Sequence, residues 1–109
     1  MTLNDIYTIL KATGFPVAYS HFTATPNNPL PTPPYICYLS AYSSNFAADN
    51  KVYKEIDNLQ IELYTVKKDL AAEKKIKDLL DENEIAYNST ETWIEDEKVF
   101  QKIYEVRLI

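Results

Sequence analysis

The sequence predicts an α+β fold, one domain in which two helices pack on a largely antiparallel or mixed sheet of about five strands, in the order α-β-β-β-α-β-β. Three observations carry this. Residues 35–42 and 58–64 alternate in the two-residue period of a pleated strand, residues 99–108 do the same, and apolar stripes of helical period occur at 3–10 and 72–80. A chain of 109 residues, 46% hydrophobic and 25% charged, suits one core, so 1–109 reads as a single domain.

Leu3, Ile6, Tyr7 and Leu10 share one helical face, with Thr2 as N-cap, Asp5 three residues on and Gly14 just past the end. Phe15 and Pro16 end that helix, and Val17 to Tyr19 leaves room for a short strand. A proline-rich loop follows at 23–34, holding five of the six prolines. It cannot supply regular ladder donors and should pass over the surface as an extended arm. The strand of Tyr35, Cys37, Leu39 and Ala41 is joined to that of Leu59, Ile61 and Leu63 by a connection, 43–53, too long for a tight hairpin. Asp69 caps a second helix reaching about Asn83, with Ala72, Ile76, Leu79 and Leu80 on its apolar face. Residues 86–94 and 99–108 flank the acidic turn Glu95, Asp96, Glu97 as a closing hairpin.

Composition bounds the chemistry. The single glycine, against roughly eight at an average usage of about 7%, leaves nothing to build a phosphate-cradling loop. A formal charge of -5 argues against non-specific nucleic-acid binding. Lys67, Lys68, Lys74, Lys75 and Lys77 alternate with acids around one helix and read as a solvated face. No apolar run spans a membrane and no leader segment is evident, which points to the cytosol.

No motif marks an enzyme. Cys37 reads as a buried structural thiol, and His21 as a surface or strand-edge residue that would need Cys37 or a serine in reach to act as a base. No metal or cofactor motif occurs. Glu91, Glu95, Asp96 and Glu97 hold enough carboxylate for a catalytic pair, but a hairpin tip dense in like charge serves solubility and edge protection. Phe46 and Tyr53 in the 43–53 connection are apolar groups that a merely solvated loop has no reason to display, which makes that connection the first candidate contact surface.

The segments PVAYSHF at 16–22, PPYICYLSAYSSNFAADNKVYKEIDNLQIELYT at 33–65 and DENEIAYNSTETWIEDEKVFQKIYEV at 81–106 resemble small tail-completion proteins of long-tailed phages and prophages of Gram-positive bacteria. The resemblance covers nearly the whole chain and is most specific in NFAADNKVY, 45–53. It implies a head-to-tail joining or tail terminator role without catalysis. The subunit would form a ring, commonly hexameric, that meets the tail tube protein and the head connector or neck protein. It would be found in the host cytoplasm during assembly and then in the virion neck or tail. It also implies that connecting loops make the contacts, which selects Asn45, Phe46, Asp49, Asn50 and Tyr53, with Pro29, Pro31, Pro33 and Pro34 as a second set. An acidic lumen would repel passing DNA phosphates. The alternatives are another neck component, such as a head-completion protein, and a small cytosolic regulatory or ligand-binding domain, which would show a concave apolar pocket with convergent polar groups.

Overall fold

The computed structural model describes residues 2–27, 29–43, 46–48, 51–54 and 57–108, with 43, 46–48 and 51–54 described by their backbone. The elements run α1 (Leu3–Lys11), β1 (Val17–Tyr19), β2 (Tyr35–Ser43), β3 (Phe46–Ala48), β4 (Lys51–Lys54), β5 (Asp57–Thr65), α2 (Leu70–Glu82), β6 (Tyr87–Ile94) and β7 (Val99–Leu108). Five strands form one mixed sheet in the order β1-β2-β5-β7-β6, and β3 and β4 form a separate antiparallel pair. The α+β class and the order of helices and main-sheet strands agree with the sequence reading.

Both helices begin where side-chain oxygens meet the free backbone donors of a first turn. Thr2 Oγ1 accepts from Asp5 N at 3.2 Å while Asp5 Oδ2 accepts from Thr2 N at 2.8 Å, a reciprocal capping box. Asp69 Oδ1 accepts from Ala72 N at 3.0 Å and starts α2. Of the stripes predicted from spacing, Ile6 and Leu10 on α1 and Ala72, Ile76 and Leu80 on α2 are buried, whereas Leu3 and Tyr7 stay exposed at the margin of the α1 stripe and Leu79 is half-buried. The buried ones meet Ile36 and Tyr38 of β2, Leu59, Ile61 and Leu63 of β5, and Tyr104, Val106 and Leu108 of β7 in one core. The lysines of α2 face outward, where Lys74 pairs with Asp78 and Lys77 with Asp81 one turn on.

Strand β1 runs parallel to β2, with Val17 opposite Ile36 and Tyr19 opposite Tyr38, whereas the other main-sheet pairs are antiparallel. Pro16 O accepts from Ile36 N at 2.8 Å at the start of this ladder. Adjacent parallel strands need a crossover, because the chain must return from the end of one to the start of the next. Here the crossover is the proline-rich segment, and it runs over the sheet face that the helices leave open. The chain enters it through a tight turn at Ser20, whose φ is +67° and across which His21 N donates to Tyr19 O at 2.7 Å.

Two departures from simple alternation matter. A register shift between Ser40 and Tyr42 sets Tyr42 opposite Asn58, on the open face, instead of beside Ile36 and Tyr38 as strict period-two spacing requires. The 43–53 connection is not a long loop, which corrects the sequence reading. Ala47 pairs with Val52 and Ala48 with Lys51, so a short hairpin stands between β2 and β5, its strands in contact mainly with each other. Phe46 and Tyr53 lie on β3 and β4; Asn45, Asp49 and Asn50 fall outside the described residues.

Helix α2 ends without glycine. Ile85 N donates to Leu80 O at 2.9 Å and Glu84 N to Asp81 O at 3.1 Å, the two bonds of a Schellman motif, and buried Ile85 sits on the core beside Leu80. Glu84 occupies the left-handed position at φ +56°, where a side chain is strained and glycine is not. Glu84→Gly is therefore expected to raise unfolding free energy by about 1 kcal/mol in denaturant titration; a loss would mean that the Glu84 side chain contributes something the backbone does not reveal. By contrast, Ile61→Ala removes a fully buried side chain and should cost about 2–5 kcal/mol in the same titration.

Candidate functional site

Register defines what the open face contains. Tyr35, Cys37 and Leu39 of β2 lie beside Tyr64, Glu62 and Gln60 of β5, which in turn lie beside Gln101, Ile103 and Glu105 of β7. It carries Glu62, Gln60, Gln101 and Glu105, whereas the helix-covered face is dominated by Ile36, Leu59, Ile61, Leu63 and Val106. The crossover arm covers only the end of this face at Tyr35, Tyr64 and Val99.

Between arm and sheet lies a half-open cleft of about 510 Å³, within the size range of small-ligand sites. Ser20, His21, Phe22, Leu30, Pro31 and Pro33 form its arm side. Tyr35, Cys37, Tyr64 and Val99 form its floor, and Glu97 stands at the margin. The rings are ordered by register. Tyr35 pairs with Tyr64, so the two stack at 5.0 Å, and Phe22 from the arm meets Tyr35 edge-on at 5.4 Å. Glu97 arrives from the turn joining β6 to β7. Its negative field, after burial, is the second cause that raises the Tyr35 hydroxyl above its ordinary value.

Behind Tyr64 lies a buried carboxylate. Glu62 is 8% exposed; it accepts a hydrogen bond from the Tyr64 hydroxyl at 3.1 Å and one from Gln101 Nε2 at 3.3 Å. Gln101 Nε2 also donates to Tyr64 Oη at 2.9 Å, closing a three-membered network. Burial raises the Glu62 pKa, and the Tyr64 bond only partly offsets that. Opposite Glu62, the Cys37 thiol is pushed up to about 11 by burial and by the Glu62 charge, so it stays protonated at neutral pH and is a weak nucleophile.

The residues singled out in the sequence are distributed unevenly over this site. Pro31 and Pro33 line the cleft, Pro34 is half-buried beside it and Pro29 is exposed. The Pro33–Pro34 peptide bond is cis. His21 and Cys37 open onto the same cavity, and His21 Nδ1 lies 3.2 Å from Ser20 Oγ. The acidic group is split. Glu91 bonds to Lys68 at 2.7 Å on the side facing α2, Glu95 pairs with Lys98 and accepts from Trp93 Nε1 at 2.6 Å, and Glu97 lines the cleft, with no ion pair among the described residues. Among the described residues no cluster of three or more His, Cys, Asp or Glu is placed to hold a metal ion, and no helix is long and apolar enough to cross a membrane. Sequence reasoning missed Phe22, Glu62 and Tyr64, whose convergence depends on the strand register and on the path of the arm.

No family model matches the chain, and no curated protein matches it in sequence.

The Glu62 network yields a pH test. Its folded-state pKa lies above the ordinary 4.5, so its contribution to stability is fully present below about 4.5 and is lost as pH rises through the raised value. Glu62→Gln keeps the shape, and the new amide can donate to Tyr64 Oη while its carbonyl accepts from Gln101. Thermal unfolding should show the variant at least as stable as the parent at pH 7 and the difference vanishing near pH 4. A variant markedly less stable at pH 7 would mean that the folded state favours the ionised carboxylate, contrary to the raised pKa.

Proposed function

We propose that the chain is a ring-forming structural subunit that completes the tail of a long-tailed phage and joins it to the head connector. The observation that carries the reading is strand β6. It forms an edge of the main sheet for eight residues and is exposed from Asn88 to Trp93. An edge of that length is usually blunted by proline, lysine or a bulge. YNSTETWI has no proline or lysine, its pairing with β7 runs without a shift, and its one acid, Glu91, is tied back to Lys68. Such an edge suits addition of a strand from a neighbouring subunit. The sequence resemblance and the hairpin inserted between β2 and β5 support the same reading. Phe46 and Tyr53 are its contact candidates on the hairpin strands, and Asn45, Asp49 and Asn50 are candidates from the sequence alone.

The partners under this reading are further copies of the chain, the tail tube protein and the neck protein. A head-completion role would use the same features against a different ring. The cleft beneath the arm favours the other class of reading, a small ligand-binding domain; a soluble monomer whose melting temperature rises with a small molecule would support it.

Deleting the gene from its native genome, inducing, and imaging the released particles tests the proposal. Filled heads separate from unjoined or overlong tails are expected, and intact infectious particles would contradict it. Complementation then separates folding from assembly. Thr90→Lys with Thr92→Lys on the exposed edge should alter stability by no more than about 0.5 kcal/mol each yet fail to restore joined particles. Phe46→Ala with Tyr53→Ala should likewise weaken assembly, by about 2 kcal/mol or more, while the isolated subunit stays folded.

A further inference from the structure

The chain has a single arginine, Arg107, and it lies on the open face of the sheet, opposite Asn58 and near the end of β7 remote from the cleft. Arg107 is exposed and forms no ion pair among the described residues. Most described lysines are already engaged. Lys68, Lys74, Lys77, Lys98 and Lys102 meet carboxylates, and Lys75 sits 4.9 Å from the centre of the Phe15 ring. Meanwhile the cleft offers stacked tyrosine rings, the Phe22 ring and the Glu97 carboxylate, which makes no ion pair among the described residues; its only basic side chain is His21.

We propose that the cleft beneath the arm receives the Arg107 guanidinium of a neighbouring copy of this chain. This deepens the ring-forming reading above and rests on it. A planar guanidinium is the cation best suited to such a site. It stacks on aromatic faces, whose electron density attracts positive charge, and its in-plane donors reach a carboxylate at the rim. The cleft volume of about 510 Å³ admits the head group with its aliphatic stem, and Leu30, Pro31 and Pro33 supply apolar surface for that stem. A chain cannot satisfy its own cleft. Val99 and Arg107 stand at opposite ends of one strand, eight steps or about 26 Å apart at the usual rise. The contact therefore joins two different patches, one from each copy. That is a heterologous arrangement, which repeats from subunit to subunit and closes into a ring when the rotation per copy permits.

The test uses the full-length, isotope-labelled protein titrated with N-acetyl-arginine amide, with the norleucine analogue as a neutral control of similar stem. Saturable amide shifts at Phe22, Tyr35, Tyr64 and Glu97 are expected with arginine alone, and Glu97→Gln should weaken the affinity by about tenfold, a step of about 1.4 kcal/mol. Sedimentation velocity reads the second half. Arg107→Glu should lower self-association, and Arg107→Glu combined with Glu97→Arg should restore part of it. Absence of cleft shifts overturns the site. Cleft shifts with self-association unaltered by Arg107→Glu, or a protein that stays monomeric up to about 1 mM, overturns the neighbouring copy as occupant. Intact particles after gene deletion would defeat the phage reading without changing the titration, and a silent titration would leave the particle result untouched.

Discussion

Strand β1 is three residues long, yet its direction determines what lies on the second face of the sheet. Had β1 run antiparallel to β2, a turn of a few residues would have joined them at one end and left the open face bare. Parallel pairing forbids that, and the intervening chain must travel the length of the ladder before β2 can begin. The helices already occupy one face, so the crossover takes the other. Proline suits that path, since an extended segment crossing a sheet has no ladder for its missing donors to break. Burial of Cys37 and Val99 and the ordering of Phe22 against Tyr35 follow from this single strand direction.

The two faces consequently differ in kind. Between helices and sheet, Ile36, Leu59, Ile61, Leu63 and Ile76 are almost entirely removed from water, and this is where apolar burial stabilises the fold. On the opposite face, Cys37, Glu62 and Val99 are buried while Tyr35, Tyr64 and Gln101 are only partly so, and the buried carboxylate is hydrogen-bonded. Glu62, Tyr64 and Gln101 satisfy one another at 2.9–3.3 Å, so that face carries a polar network at little cost beyond desolvation of the carboxylate. A face built in this way can meet another surface without unfolding anything. Edge β6 is a second exposed feature of the sheet, and under the proposed function it and the β3–β4 hairpin are where neighbouring copies would attach.

How much of this was legible in the sequence depends on the range of the interactions concerned. Thr2, Asp5 and Asp69 cap helices through bonds spanning three residues, and the alternation of β5 and β7 is imposed by one covered face; such signals lie within a short window. The end of α2 was harder, because the left-handed position that glycine would have marked is occupied by Glu84. The β3–β4 hairpin escaped because its strands are three and four residues long and flanked by polar groups, too short for a period to show. The Tyr42 shift requires a bulge that alternation cannot announce. The cleft was the least visible feature. Pro31 and Pro33 were singled out for surface contact, but their meeting with Tyr64, some thirty residues away, follows from β1 pairing parallel to β2 and β2 antiparallel to β5, and neither direction is encoded locally.

The measurement that reaches this constraint most directly is a nuclear Overhauser analysis of the isolated protein, read at two places. The account predicts the parallel pattern between Val17–Tyr19 and Ile36–Tyr38, with the Ile36 amide protected by Pro16, together with contacts from the Phe22 ring to Tyr35. An antiparallel pattern between these strands, or Phe22 without any contact to the sheet, would contradict it and remove the cleft along with the crossover that creates it.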